Sequence, residues 1–291
     1  MPTTTQVPLH HQQLILLSGL SGAGKSVALR ALEDMGYYCM DNLPAPLIRD
    51  AVSMLDQDGY PRVAIAVDAR SAHNLTSLPE RLAEMKAMGL DVRGLFLEAD
   101  VDTIVRRYSE SRRSHPLSNG ALTVAECIAM EREMLAEVRE LAHCIDTSGM
   151  SAAKLRLWVR EFIAVDAAKV TLIFESFGFK HGIPLDADFV FDARCLPNPY
   201  YDPALRPLTG MDQPVADFLM RQPSVGPYLT HILGFLERWL PEFERDQRSY
   251  VTVAIGCTGG QHRSVYLAEE LRRHFSRSRQ VLLRHREQHG H

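Results

Sequence analysis

At 291 residues the chain is long for one minimal domain and comfortable for two, each able to bury its own core. Its composition, 46% hydrophobic and 23% charged with a formal net charge of -4, is that of an ordinary soluble globular protein, and an acidic balance leaves any nucleic-acid binding to a local patch. The longest apolar runs, LILLSGL at 14–20 and VTLIF at 170–174, fall far short of the roughly 20 residues a membrane helix needs. The start MPTTTQVPLHHQQ lacks the basic and apolar blocks of a secretory signal, and five scattered cysteines without a CxxC pair suit a reducing cytoplasm.

QLILLSG at 13–19 reads as a central parallel strand, apolar on both faces and ended by glycine. Gly19, Leu20, Ser21, Gly22, Ala23, Gly24, Lys25 and Ser26 follow, the complete G-x-x-x-x-G-K-S of a P-loop. Such glycines let backbone N–H groups surround a phosphate, and the helix expected over SVALRALEDMG aims its positive end at the same point. Lys25 is expected at the β- and γ-phosphates and Ser26 on Mg²⁺.

Strands are predicted at 37–40, 62–67 and 92–99, with helices near 44–56 and 76–88 between them. This rhythm predicts a P-loop kinase-like α/β domain with a parallel sheet and its ligands at the C-terminal strand ends. Asp41 and Asp68 close two of those strands, where they could hold Mg²⁺ through water, orient a nucleophile, or simply cap the next turn. IVRRYSESRRSHPLSNG at 104–120 places Arg106 and Arg107 one helical turn before Arg112 and Arg113, like the closing lid of small kinases; a solvated basic face is the alternative. One long helix over 122–143, a strand at 144–147 and a helix over 151–164 complete the domain, assigned to 1–166.

A second, smaller α/β domain is assigned to 167–291. Strands are expected within 169–182 and 249–256, helices over 225–243 and 264–275, and a strand followed by a long ordered loop over 186–214. GCTGGQHRSVY at 256–266 lies between strand and helix and is a second anion loop by the same physics. Cys257, five residues and Arg263 have the spacing of a phosphatase nucleophile and its arginine, but Gly256 stands where that signature carries histidine. The loop could thus bind a phosphate ester without chemistry, act through Cys257, or be a structural turn. His262 with Cys257 lacks the second ligand pair that zinc requires. The end, LRRHFSRSRQVLLRHREQHGH, carries Arg272, Arg273, Arg277, Arg279, Arg284 and Arg286, a run able to track a nucleic-acid backbone or to lie on a solvated face.

With GLSGAGKS, YYCMDNLP, DARS, RRYSESRRSHPL, FGFKHGIPLDADFVFDARCLPNP, DPALRPLTG and GCTGGQHRSVY in order over about 13–286, the chain resembles the RapZ family of bacterial nucleotide-binding proteins, the RNase adapter group. That resemblance implies a cytoplasmic, homo-oligomeric protein whose first domain binds and slowly hydrolyses ATP and GTP, with Gly19 to Ser26 as the ATP loop and Asp68, Ala69, Arg70 and Ser71 assigned to GTP. It implies that the second domain senses glucosamine-6-phosphate through His181, Thr258, Gly259, Gly260, Gln261, His262, Arg263 and Ser264. It also implies small-RNA binding and presentation to RNase E, although the RNA-presenting relatives end in a lysine and arginine cluster where this chain ends HREQHGH. A small-molecule kinase, with Asp41 as general base, and a cysteine phosphatase are the competing readings.

Overall fold

The structure, a computed structural model, describes residues 13–69, 78–118, 120–165, 170–245, 248 and 250–288. The chain divides into two compact units, Met1–Ile163 and Ala164–His291. Each is an α/β layer structure built on its own parallel sheet.

In the first unit β1 (Gln13–Gly19) lies at the centre, because six of its seven residues are buried and only a strand covered on both faces accommodates them. Around it the chain lays down α1 (Lys25–Asp34), β2 (Tyr38–Met40), α2 (Ile48–Gln57), β3 (Arg62–Ala66), α3 (Leu78–Ala87) and β4 (Asp91–Glu98). Then come α4 (Val101–Ser111), α5 (Val124–Met134), α6 (Ala136–Glu140), β5 (His143–Asp146) and α7 (Ala152–Ala164). The strand order is β2-β3-β1-β4-β5, so the connections leaving β1 diverge to either side and the crevice for ligands opens beyond its C-terminal end. Leu14, Leu16, Val63, Ile65, Phe96, Leu135 and Val138 share one core, each such buried side chain contributing roughly 1.5–3 kcal/mol.

The helix expected over 122–143 is two helices. A capping box between Thr123 and Glu126 starts α5, and Leu135 (φ -103, ψ 6) leaves helical geometry to bury its side chain completely. In α6 Arg139 reaches Glu98 at 2.6 Å. Arg112 ends α4 in a left-handed conformation (φ 51).

The second unit runs β6 (Thr171–Gly178), β7 (Phe189–Asp192), α8 (Gln213–Met220), α9 (Val225–Arg245), β8 (Tyr250–Cys257), α10 (Arg263–Phe275) and β9 (Gln280–His285), with strand order β7-β8-β6-β9, all parallel. Two elements depart from the sequence-based expectation. Residues 213–220 form α8 at the end of the expected loop, burying Val215 and Leu219. Residues 280–285 form β9 within the expected basic run, because Val281 and Leu283 alternate onto the core while the arginines take other positions.

His285 on β9 and Arg272 on α10 converge on Glu269, with His285 Nε2 at 3.5 Å and Arg272 Nη2 donating at 2.8 Å. They hold its carboxyl down from 4.5 to about 2. A carboxyl whose pKa falls on folding contributes stability above its unfolded value and loses it as pH drops toward the folded one. Glu269→Gln is therefore expected to flatten the decline in stability between pH 4.5 and about 2, measured by urea unfolding across that window.

Candidate functional site

Both candidate loops lie at C-terminal strand ends, one in each unit. In the first, backbone geometry demands the glycines. Gly19 (φ 134) passes so close to β4 that a Cβ would stand 2.1 Å from Leu97 O, and Gly24 (φ 109) is the left-handed N-cap of α1. Leu20 N–H donates to Leu97 O at 2.9 Å and Ala23 N–H to Leu20 O at 3.0 Å, fixing the curl of the loop. Lys25 Nζ donates to Gly19 O at 2.5 Å, folded across the loop mouth, and Gly22 and Ser26 are exposed. Val27 and Ala28 N–H groups donate to Gly24 O at 2.9 and 3.1 Å, which starts α1 at the loop and aims the positive end of its dipole there, as an anion site needs.

Ser21 turns both of its donors inward: its N–H reaches Glu131 Oε2 at 2.8 Å and its hydroxyl reaches Glu131 Oε1 at 2.7 Å. His115 Nδ1 accepts the Leu117 N–H at 3.2 Å, so Nε2 is the protonated nitrogen and donates to Glu131 Oε2 at 3.2 Å. Both side chains are fully buried. Burial, and then the charge of Glu131, push the neighbouring Tyr108 hydroxyl up to about 12. On the other flank Arg107 donates to Gly22 O at 2.9 Å and to Thr147 O at 2.8 Å, tying α4 to the loop. Arg106 contacts Thr103 Oγ1 at 3.4 Å, whereas Arg112 and Arg113 are exposed.

Asp68 is buried just past β3, where Val67 N–H donates to Leu17 O at 2.9 Å, so it flanks the end of β1. Asp41 is exposed after β2, a strand separated from β1 by β3. Ala69 is buried, while Arg70 and Ser71 lie outside the described residues. Glu131 and His115 escaped sequence reading because the bond from Ser21 to Glu131 spans 110 positions of chain and leaves no local motif, and His115 joins only through Glu131. Glu131→Ala is expected to strand two donors of Ser21 and cost about 1–3 kcal/mol, read as a lower melting temperature of the first unit.

In the second unit, β8 ends at Cys257 and α10 begins at Arg263. Gly256 is enforced by packing, since a Cβ there would meet Phe179 at 2.4 Å and Phe177 at 2.6 Å. Gly260 (φ 70) is pressed against the Glu287 carboxyl and Gly178 N. Arg263, only 4% exposed, donates through Nη1 to Arg194 O at 3.1 Å and Leu196 O at 2.9 Å. Its Nη2 reaches Thr258 Oγ1 at 3.3 Å, and its Nε is buried without a partner, so the Nε–Nη2 edge is the side of the guanidinium turned to the loop. His262 Nε2 donates to Leu205 O at 3.2 Å, and Gly210 N–H donates to Gln261 O at 2.8 Å; together they staple the 193–212 segment over the start of α10. Gly259 and Thr258 lie beside Lys180, whose N–H donates to Thr258 O at 3.3 Å.

Cys257 Sγ lies 3.1 Å from Ser264 Oγ. Burial opposes ionisation of its thiol, but hydrogen bonds from the Ser264 hydroxyl and from the backbone of Ser264 and Gly260, with the Arg263 charge, bring its pKa below the ordinary value. His181 is exposed on the turn after β6, its pKa lowered by partial burial and by the charges of Lys180 and Arg286. Lys180, Arg286 and Glu287 were not singled out for this pocket; the sequence signal was their adjacency to FGFKHG and to the end of a strand.

The arginines of the basic run separate. Arg272 and Arg273 pair with Glu269 and Glu270 on their own helix, Arg279 pairs with Glu244, and Arg277 is exposed. Arg284, with a side chain 11% exposed, faces Glu175 at 3.5 Å and Asp186 at 3.6 Å. Arg286 donates to Gly182 O at 3.2 Å. Among the described residues no cluster of three His, Cys, Asp or Glu is placed to hold a metal by itself, and no helix is long and apolar enough to cross a membrane.

Residues 12–167 match the family described as RapZ-like N-terminal domain and residues 170–289 match the RapZ C-terminal domain. A nucleotide-binding protein of Chromobacterium violaceum is 58% identical over 275 residues, covering 94% of this chain and 98% of its own. A nucleotide-binding protein of Thiobacillus denitrificans is 56% identical over 275 residues, covering 94% and 99%. A solved shikimate kinase from Acinetobacter baumannii shares 18% identity over 52% of this chain and 93% of its own, with a TM-score of 0.36.

Proposed function

We propose that this chain, which belongs to the RapZ family, binds ATP and GTP with Mg²⁺ on the loop after β1, hydrolyses them slowly, and senses glucosamine-6-phosphate or a related amino-sugar phosphate on the loop after β8. The observation that carries the first half is the complete G-x-x-x-x-G-K-S loop curled between the central strand and a helix start, with Lys25 across its mouth. Ser26 and Asp68 would hold Mg²⁺, which would draw charge from the β- and γ-phosphates; Ser26 is exposed in the first turn of α1 and Asp68 flanks the same strand end, so the donor set fits a hard cation. Lys25 would leave Gly19 O for the phosphates. The loop ignores bases, which suits acceptance of both nucleotides. The names of the nucleotide-binding relatives support this half.

The second half is supported by the guanidinium edge of Arg263 and the start of α10 converging on one loop, with Lys180 and Arg286 providing a positive surround that adds to partial burial in holding the His181 imidazole neutral as a hydrogen-bonding group. Binding of small RNA, with presentation to RNase E, would rest on Arg272, Arg273 and Arg277, because exposed ion pairs yield to a phosphate at little cost whereas Arg284 is held among acids.

A thermal-shift panel over ATP, GTP, amino-sugar phosphates and short RNAs tests the reading, since a ligand of the native state raises the melting midpoint by mass action. Shifts with both nucleotides and with the sugar phosphate support it, and none with nucleotide and Mg²⁺ rejects it. Incubation with γ-labelled ATP and the sugar phosphate separates it from the kinase reading, which requires label on the sugar.

A further inference from the structure

We propose that Cys257 is a peroxide-reactive thiol whose oxidation closes the anion site of the second loop. The proposal rests on the reading of that loop as an anion site. Its ground is the arrangement of donors around one sulfur. Ser264 Oγ lies 3.1 Å from Sγ, the backbone groups of Gly260 and Ser264 face it, and Arg263 stands beside it with a buried, partnerless Nε. Donors that would surround the oxygens of a phosphate therefore also surround the sulfur, and the same field that attracts an anion favours the thiolate.

The other described cysteines lack this setting. The Cys39 thiol is pushed up to about 11 by burial and by Glu33. Cys195 is exposed, with Asp192 O at 3.6 Å from its sulfur, and Cys127 is fully buried. Cys257 itself is 3% exposed, which bars bulky reagents more than it bars hydrogen peroxide, a small neutral molecule.

In the step, the thiolate sulfur attacks one oxygen of hydrogen peroxide. An S–O bond forms, the O–O bond breaks, and the second oxygen departs as hydroxide, which takes the proton of the new sulfenic acid and leaves as water, so that a sulfenate remains. The sulfur loses two electrons and the peroxide is reduced by two. The sulfenate oxygen then points into the ring of donors and takes the hydrogen bonds that an anion would use, so oxidation and anion binding exclude one another. A low-molecular-weight thiol reverses the change: its sulfur attacks Cys257 with loss of water, and a second thiol resolves the mixed disulfide.

The test exposes the folded full chain to hydrogen peroxide for set times, quenches it into denaturant containing dimedone, and measures adduct at each cysteine by peptide mass. The expected result is labelling of Cys257 ahead of the exposed Cys195, slowed by inorganic phosphate. Ser264→Ala should slow it about tenfold or more, the scale for loss of one hydrogen bond to a charged group. Oxidised protein should lose its thermal shift with glucosamine-6-phosphate and regain it after treatment with a thiol. Labelling of Cys195 first, or a Cys257 rate indifferent to phosphate in the unsubstituted protein, overturns the proposal. A sugar-phosphate shift in untreated protein without adduct at Cys257 sinks the thiol chemistry alone. Adduct at Cys257 with neither shift nor protection sinks the anion reading and the switch together.

Discussion

Lys25→Ala is expected to lower nucleoside triphosphate hydrolysis by roughly 100- to 1,000-fold, the range for loss of one preorganised charge-stabilising donor. The ammonium lies 2.5 Å from Gly19 O, so it is already positioned at the loop mouth and has only to exchange a carbonyl for phosphate oxygens. That carbonyl belongs to Gly19, the buried last residue of β1, so the substitution leaves an acceptor short of a partner and should also lower the melting temperature without nucleotide, at a cost of about 1–3 kcal/mol. Lost turnover together with a lost nucleotide-induced thermal shift, in a variant that still unfolds cooperatively, separates a ligand role from a purely folding role. An unaltered hydrolysis rate would remove the loop after β1 from the activity.

Arg263→Ala is expected to lose stability and binding together. The substitution leaves Arg194 O and Leu196 O, both in the 193–212 segment, without their donor. At about 1–3 kcal/mol for each buried acceptor left unpaired, the cost is about 2–4 kcal/mol once partial hydration is allowed for. Urea unfolding of the second unit measures it. Arg263→Lys keeps the charge but cannot span two carbonyls and a phosphate at once, so it should recover little of the stability and little of the response to glucosamine-6-phosphate. A variant that unfolds like the parent while losing the sugar-phosphate response would show that the guanidinium serves the ligand alone. Glucosamine-6-phosphate binding unchanged in Arg263→Lys would take the arginine out of the pocket.

These two residues also mark how far the amino-acid order could be read. Lys25 is legible because its whole environment is contiguous: an apolar strand, three glycines at positive φ and a helix start within fourteen residues. The α/β class was legible for the same reason, since strand and helix periodicities are local properties. The place of Arg263 at the start of a helix after a glycine-rich loop was legible, but its hold on a segment some seventy residues earlier was not. The strand within the basic run after 271 was not legible for a related reason. A count of arginines registers charge, whereas Val281 and Leu283 turn part of that run into the edge strand β9 and bring Arg284 to Glu175 and Asp186.

By itself the sequence determined the two strand–loop–helix turns, because such turns depend on backbone freedom at a few adjacent glycines and on the helix that follows. Only the tertiary structure decided which groups brace those loops: Glu131 and His115 behind Ser21, Arg107 against Gly22, and the carbonyls of Arg194 and Leu196 beneath Arg263. Buried donors and acceptors must be paired wherever the chain happens to bring a partner, and that choice is made by packing across distances over which no periodicity survives.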